Sequence, residues 1–322
     1  MSLNKESDIQ VSVCVVTYNQ ENYIAECLES LVTQQTSFKF EIIVGEDCST
    51  DGTRAIVQQY VEQYPDLIVP LFYEENVGAV ENVKRVYKAA KGKYIAHMDG
   101  DDMALSGKLQ KQFDILELNV DCNICTHNAY RISPNGLMMD NHIYFPEGKY
   151  NLLDLLRKLP FFTHSTKMFR NKYSKFFWDE LLNSPDLFDT DIHIENAIDG
   201  DIFHLNDMLG KYRIGSGITN KNNKYNPFFT FAQIRGYEKG LRLFSGDQKS
   251  LDVINHAYSL SMLQQAYNYA VYNKDIFLFK KYVDKSIKLK FIGLNQVIFK
   301  LACIFPGIFF TFFRLRNTRR SK

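Results

Sequence analysis

The sequence predicts an α/β fold: a doubly wound, mostly parallel sheet with an α-helical appendage at its C-terminal end. Three observations predict it. β-Branched runs alternate with segments of helical spacing through the first hundred residues. Polar and acidic clusters close several of those runs, at the strand ends where parallel sheets take their ligands. After Gly217 the strand pattern fades, and apolar residues recur at helical intervals.

Each element has a local reason. Residues 11–18 form a β-branched run that reads as a buried strand, broken by Asn19 and Gln20. Ile24, Leu28, Leu31 and Val32 recur at helical spacing. A second strand over 40–44 ends in the loop 45–53, built of turn formers and helix caps. Ile56, Val57, Tyr60, Val61 and Tyr64 mark a helix that Pro65 stops, and 67–73 is a third strand. Asn76-Val77-Gly78 is a turn. Val80, Val83, Val86, Tyr87 and Ala90 give a third helix, closed by Gly92. A fourth strand over 94–98 runs into Asp99-Gly100-Asp101-Asp102. Beyond it the pattern predicts a helix through Leu109, Phe113 and Leu116, a strand over 124–132, a turn at 134–136 and a helix over 152–159. It then predicts a strand over 161–169, a helix after Asp189-Thr190-Asp191, and two strands, 201–205 and 208–214, around a turn at Asn206-Asp207.

Composition excludes more than it assigns. The chain has 322 residues, 45% hydrophobic and 23% charged, with a net charge of +1. Those fractions are ordinary for a globular protein, and the charge balance offers no field for nucleic acid. A single C-x-x-C, Cys122 to Cys125, lies in a predicted strand without a second pair or spaced histidines, so it is a poor zinc signature. The reading is a reducing compartment without disulfides. The polar first ten residues show no secretory signal. No G-x-G-x-x-G follows the first strand and no G-x-x-x-x-G-K-[ST] occurs, which argues against dinucleotide enzymes and P-loop nucleotidases.

The acidic turn is the chemical centre. Side chains at i and i+2 of an extended segment point the same way, so Asp99 and Asp101 can aim at one point. Gly100 permits a tight bend or a close ligand approach. Clustered carboxylates repel one another unless a cation lies between them, and a hard ion such as Mn2+ or Mg2+ suits such a set. Asp101, Asp99 and Asp102 are the candidate metal ligands.

With these pieces in order, the chain resembles the family 2 glycosyltransferases and their GT-A fold from Val11 to about Ser216. The residues that carry the resemblance are Val13 through Asn19, Ile43 through Thr53, Asn76-Val77-Gly78, Gly92 through Asp102, and Gly210-Lys211-Tyr212-Arg213. The resemblance implies an inverting transfer from a nucleotide-diphosphate-sugar donor, most often a UDP-sugar, to a glycan or lipid-linked acceptor in cell-surface polysaccharide synthesis. It implies that Thr17 and Asp47 hold the base and ribose, and that Asp99 and Asp101 form the D-x-D motif that meets ribose and metal. Tyr18, Asn19, Glu46, Asn76 and Gly100 complete the implied donor-binding set. The family commonly has aspartate where this chain has Glu46, and glycine or asparagine where it has Cys48. The pattern places the catalytic base at Asp189, with Asp191 as its rival; both are also good helix caps. The alternative is a non-catalytic protein of the same fold that binds nucleotide sugars or serves as a membrane-surface scaffold. His164 is a weak acceptor-side candidate, His97 reads as packed inside the sheet, and Lys84 and Arg85 read as a solvated helix face.

The predicted division is a transferase domain over 1–220, a helical extension over 221–290 and an apolar, basic tail over 291–322. Residues 301–313 are apolar but shorter than the roughly 20 that a membrane-spanning helix needs. Arg314, Arg316, Arg319, Arg320 and Lys322 follow. An apolar stretch backed by cations suits peripheral contact with the inner face of the cytoplasmic membrane.

Overall fold

The computed structural model describes residues 8–172, 188–215 and 225–304. The chain forms two compact units. One comprises 1–152 and 160–217, the other 153–159 and 218–322. The short segment 153–159 is therefore grouped with the C-terminal helices rather than with the sheet that precedes it in sequence.

The first unit is built on a nine-stranded sheet. Its first half is β1 (Ile9–Thr17), β2 (Lys39–Glu46), β3 (Ile68–Phe72) and β4 (Tyr94–Asp99), all parallel, in the order β3-β2-β1-β4. The crossovers are α1 (Ile24–Val32), α2 (Thr53–Gln63) and α3 (Ala79–Ala89). Alternation along the sequence thus gives the expected parallel, helix-covered sheet. Both faces are covered, so Val11, Val13, Val15, Ile42, Val44, Tyr94 and Ala96 are buried with Leu28 and Leu31 of α1 in one core. At Gly45 a Cβ would lie 1.9 Å from Asn82 Oδ1. The missing side chain lets Asn82 of α3 donate to the Gly45 carbonyl at 2.9 Å.

The second half of the sheet is mixed. β5 (Met103–Ala104), β6 (Cys122–Ile132), β7 (Gly148–Tyr150), β8 (Met168–Arg170) and β9 (Asp201–Arg213) extend the order as β4-β8-β6-β9-β5, with β7 also on β9. β6 and β9 pair in parallel over most of their length, whereas the antiparallel pairings of β8, β5 and β7 are short. α4 (Lys108–Leu118), α5 (Leu152–Arg157) and α6 (Asp189–Ile198) complete the connections.

Two sequence expectations change here. Residues 161–169 are not one strand: a 3-10 turn, His164–Thr166, interrupts them before β8. Thr166 causes this locally, because both its N–H (3.1 Å) and its hydroxyl (2.8 Å) donate to the Thr163 carbonyl. Nor is there a turn at Asn206-Asp207. β9 runs straight through, and its partner β6 accommodates the extra residues by register shifts around Asn128. The Asn128 amide satisfies the Asn206 carbonyl at 3.0 Å.

The C-terminal unit is helical: α7 (Pro227–Leu243), α8 (Gln248–Asn268), α9 (Ile276–Leu289) and α10 (Leu294–Ile304). Asn226, Asp247 and Asp275 cap the first three, each accepting a backbone N–H within the first turn. Tyr237 stacks on Tyr258 and Tyr269 on Tyr282. Gly240 leaves room for Leu156 of α5, whose Cδ1 would lie 2.5 Å from an added Cβ. Among the described residues no helix is long and apolar enough to cross a membrane.

Arg170 shows how the sheet's middle is fastened. Its guanidinium donates to the carbonyls of Leu116 (2.5 Å), Asn119 (3.1 Å) and Cys122 (2.8 Å) and to the Tyr94 hydroxyl (3.0 Å). It thereby satisfies the carbonyl end of α4 with a cation. Arg170→Met should lower the unfolding free energy by about 2–3 kcal/mol, the scale of charged hydrogen bonds lost from partly buried carbonyls, as read from the urea midpoint at constant m-value.

Candidate active site

Parallel pairing brings three strand ends together. Thr17 of β1 stands beside Glu46 of β2, and Val16 beside Asp99 of β4. The backbone continues the pairing one residue further: the Asp47 N–H reaches the Thr17 carbonyl (3.1 Å) and the Gly100 N–H the Val16 carbonyl (3.0 Å). Thr17, Asp47 and Gly100, far apart in sequence, become neighbours.

The loops on these ends hold one another. The Asp47 carboxylate accepts from the N–H of Val77 (2.7 Å), the N–H of Gly78 (3.0 Å) and the Asn76 amide (3.1 Å). Burial pushes its carboxyl up, and the two backbone N–H groups pull against that. Glu46 is fully buried; it accepts the Ser49 N–H (2.7 Å) and pairs with Arg54. Its carboxylate therefore faces the loop that follows it. Asn19 accepts the Thr50 N–H at 2.8 Å and adopts a left-handed φ of 52°. Cys48, at the position where the chain departs from the family pattern, is also left-handed, with φ 54°. Thr17 donates to Gln20 Oε1 (2.8 Å), and Tyr18 beside it is 41% exposed.

The acidic turn closes through the Asp102 N–H on the Asp99 carbonyl (3.0 Å). Gly100 is needed there, since a Cβ would lie 2.5 Å from Gln20 Oε1 and 2.9 Å from Thr17 Cβ. Asp99 is oriented by His97 Nε2 (3.1 Å) and by Ser165, whose hydroxyl accepts the Asp99 N–H (3.0 Å) and donates to Oδ2 (3.2 Å). Burial raises the Asp99 carboxyl, but His97 and Ser165 outweigh it, and the group ends below the ordinary range. Asp102 goes the other way: burial, then Asp101 and Asp99, push its carboxyl well up. Asp102 Oδ1 accepts the Arg213 N–H (2.8 Å), while Oδ2 has no hydrogen-bond partner among the described residues. The buried, unsatisfied Asp102 oxygen is open to a cation, but among the described residues Asp99, Asp101 and Asp102 are not a set whose ligand atoms all lie within 4.8 Å of one another.

Arg213 is a residue whose role the sequence did not reveal. It ends β9, donates through Nε to the Asp101 carbonyl (3.0 Å), and pairs with Glu26 of α1 (2.6 Å). It also reaches the carbonyls of Ser133 and Pro134. Tyr212, beside it, has its hydroxyl pushed well up by burial and then by Asp102, Asp99 and Asp189.

Asp189 and Asp191 lie in the first turn of α6. Asp191 Oδ2 accepts the Phe188 N–H (2.9 Å), which closes the helix N-terminus. Asp189 Oδ1 accepts the Thr190 N–H (2.7 Å). Burial lifts the Asp189 carboxyl to about 6, against the pull of Lys167 and the Thr190 N–H, and Asp99 adds to the rise. Asp189 and Asp99 thus act on one another electrostatically. Lys167 is buried, and its amine has no hydrogen-bond partner among the described residues. Burial pulls it down to about 7, against Asp189 and Asp99. The His164 ring packs against His97 at a tilt of 52°, with centroids 3.7 Å apart, and its Nδ1 is 3.2 Å from His193 Nε2. Lys167 carried no spacing signal, whereas His193 sits four residues after Asp189, a helical spacing that the sequence reading passed over. Lys84 and Arg85 pair with Glu81 on their own helix.

The family model for glycosyl transferase family 2 matches residues 12–177, which takes in every strand end described above except that of β9. The chain belongs to glycosyl transferase family 2. An uncharacterized protein of Mycobacterium tuberculosis is 30% identical over 204 residues, 63% of this chain and 58% of that protein. The putative teichuronic acid biosynthesis glycosyltransferase TuaG of Bacillus subtilis is 35% identical over 137 residues, 42% of this chain and 53% of TuaG. The chain thus spans less than two thirds of the length of these curated relatives. Among solved structures, TarS 1–349 of S. aureus in complex with UDP-GlcNAc superposes with a TM-score of 0.60 at 18% identity, over 87% of this chain and 81% of that one. The mannosyltransferase PcManGT of Pyrobaculum calidifontis, in complex with GDP-Man and Mn2+, gives 0.52 at 14% identity, over 93% and 80%. The fold is of the GT-A type.

The contact between Gly100 and the Thr17–Gln20 pair yields a direct test of the turn. Gly100→Ala should cost about 1–3 kcal/mol of stability, as overpacking does, measured by urea unfolding, with far-ultraviolet circular dichroism unchanged.

Proposed function

We propose that this chain transfers a sugar with inversion from a nucleotide-diphosphate-sugar donor to a glycan or lipid-linked acceptor in cell-surface polysaccharide synthesis. The single observation that carries this reading is the convergence of Asp47, the acidic turn and Asp189 in one family 2 scaffold. The solved neighbours hold UDP-GlcNAc and GDP-Man, which supports a nucleotide sugar as donor; a UDP-sugar is the proposed one. Asp47 with Asn76 orders the loop where base and ribose would lie, together with Thr17, Tyr18 and Asn19. Glu46 acts from beneath, by shaping the 46–49 turn.

Asp99, Asp101 and Asp102 would hold Mn2+ or Mg2+. Such an ion, when bound, supplies positive charge to the departing nucleoside diphosphate. Arg213 fixes the turn in place before any ligand arrives. Asp189 takes the proton of the acceptor hydroxyl, and its raised carboxyl suits a base that works near neutrality. Both carboxylates accept an N–H at the start of α6, but Asp189 is the one that is raised and acts on Asp99, so Asp191 is the weaker candidate. Residues 305–322, which contain the basic cluster, lie outside the described residues. On α10, Leu294, Val297, Ile298, Leu301 and Ile304 are exposed, which supports contact with the inner face of the cytoplasmic membrane.

Four measurements check this. Asp101→Asn should lose Mn2+-dependent release of nucleoside diphosphate while its melting curve stays cooperative; parental rates at limiting Mn2+ would remove the metal role. Asp189→Asn should lower transfer about 100- to 10,000-fold and leave donor affinity nearly unchanged by calorimetry. A base must be ionised to act, so the parental kcat/KM should fall as pH drops through about 6. The full chain should sediment with anionic liposomes, and less so at high salt.

A further inference from the structure

We propose that His164, Asp189 and His193 form a metal site apart from the acidic turn, one that takes a borderline ion of the Zn2+ class. One ligand atom from each residue lies within 4.8 Å of the other two. The His164 Nδ1–His193 Nε2 separation is 3.2 Å. Zinc bonds of about 2.0–2.1 Å set tetrahedral ligand atoms about 3.3 Å apart, so the imidazole edge already has coordination spacing. Two imidazoles and one carboxylate favour Zn2+ and its neighbours, whereas Mg2+ and Mn2+ favour all-oxygen sets.

The fold builds the site on fixed supports. Asp189 and His193 are four residues apart on α6, so they share a face one turn apart. His164 is held from two sides. Its ring packs at a tilt against His97, and the 3-10 turn it opens is closed by Thr166 on the Thr163 carbonyl. His193 is completely buried, and His164 and Asp189 are half-buried. The buried Lys167 amine acts on the same carboxylate electrostatically. It competes with an incoming cation for Asp189, which places the affinity below that of a closed structural zinc site.

Occupancy would take the oxygen that the proposed base needs. Zinc bound here should therefore block transfer while leaving the donor pocket open, a consequence that rests on the reading of Asp189 as the base.

Zinc binding is measured first without donor or acceptor. Full-length protein stripped by chelator is dialysed against Zn2+ in excess Mg2+. The expected result is one zinc per chain, weakened at least about tenfold in His193→Gln and retained in Asp101→Asn. X-ray absorption at the zinc edge of the parental protein should show two imidazole nitrogens and no sulfur, a readout that stands whether or not the variant folds. No stoichiometric zinc, affinity unchanged in His193→Gln, or sulfur scattering would each overturn the site. A protein that binds zinc at the triad and still transfers sugar unhindered overturns the base assignment and leaves the metal site standing. One that transfers sugar but binds no zinc does the reverse.

Discussion

Crowding of three carboxylates, two of them buried, is the constraint on which the rest of the structure depends. Asp99, Asp101 and Asp102 lie within one turn, and the chain must hold them there before any cation helps. It does so with backbone donors, with an arginine from the end of β9 that ties down the turn's backbone, and with a buried lysine. The Arg213 N–H meets Asp102, and its guanidinium meets the Asp101 carbonyl and Glu26. Lys108, buried beneath the turn, donates to the Ser165 carbonyl, and burial draws its amine down to about 8 against the pull of Asp102. This is why β9 must reach the sheet in register. Its C-terminal residue fastens the turn that begins at the end of β4.

The first four strands and their crossovers are legible in the sequence because one signal suffices for each. A buried β-branched run such as that of β1 can be little else, and Pro65 and Gly92 punctuate the helices between. The convergence of Thr17, Asp47 and Asp99 follows from parallel topology alone. The later half is less legible for physical reasons. Residues 161–169 have the aromatic and threonine content of a strand, yet the Thr166 hydroxyl competes for the backbone and bends it. Asn206-Asp207 has turn composition, but flanking pairing with β6 overrides it and leaves a bulge. Composition is the same in either outcome; what decides is a partner distant in sequence.

The site divides along the same line. Carboxylates announce themselves in clusters, so Asp99, Asp101, Asp102 and Asp189 stand out. Lys167 is a single residue, and Arg213 belongs to a motif that marks its place but not its partners; their meaning comes only from what they contact. Glu46 illustrates the converse. Its place in the family pattern draws attention to it as a donor-binding residue, while its buried carboxylate is directed at Ser49 and Arg54.

One contact has a further consequence. Tyr87 Oη lies 3.0 Å from His97 Nδ1, and His97 Nε2 lies 3.1 Å from Asp99 Oδ1. Burial keeps the His97 ring neutral, with Asp99 opposing, so it has one proton to give. An ionised Asp99 can only accept, which fixes the tautomer with hydrogen on Nε2. Nδ1 is then a bare lone pair, and the Tyr87 hydroxyl must point its hydrogen at the ring. The protonation of a carboxylate at the ligand-facing edge of β4 is thus written into the direction of a hydroxyl on α3. Were Asp99 to gain a proton, the ring could turn over its single hydrogen to Nδ1, and the tyrosine would have to reverse.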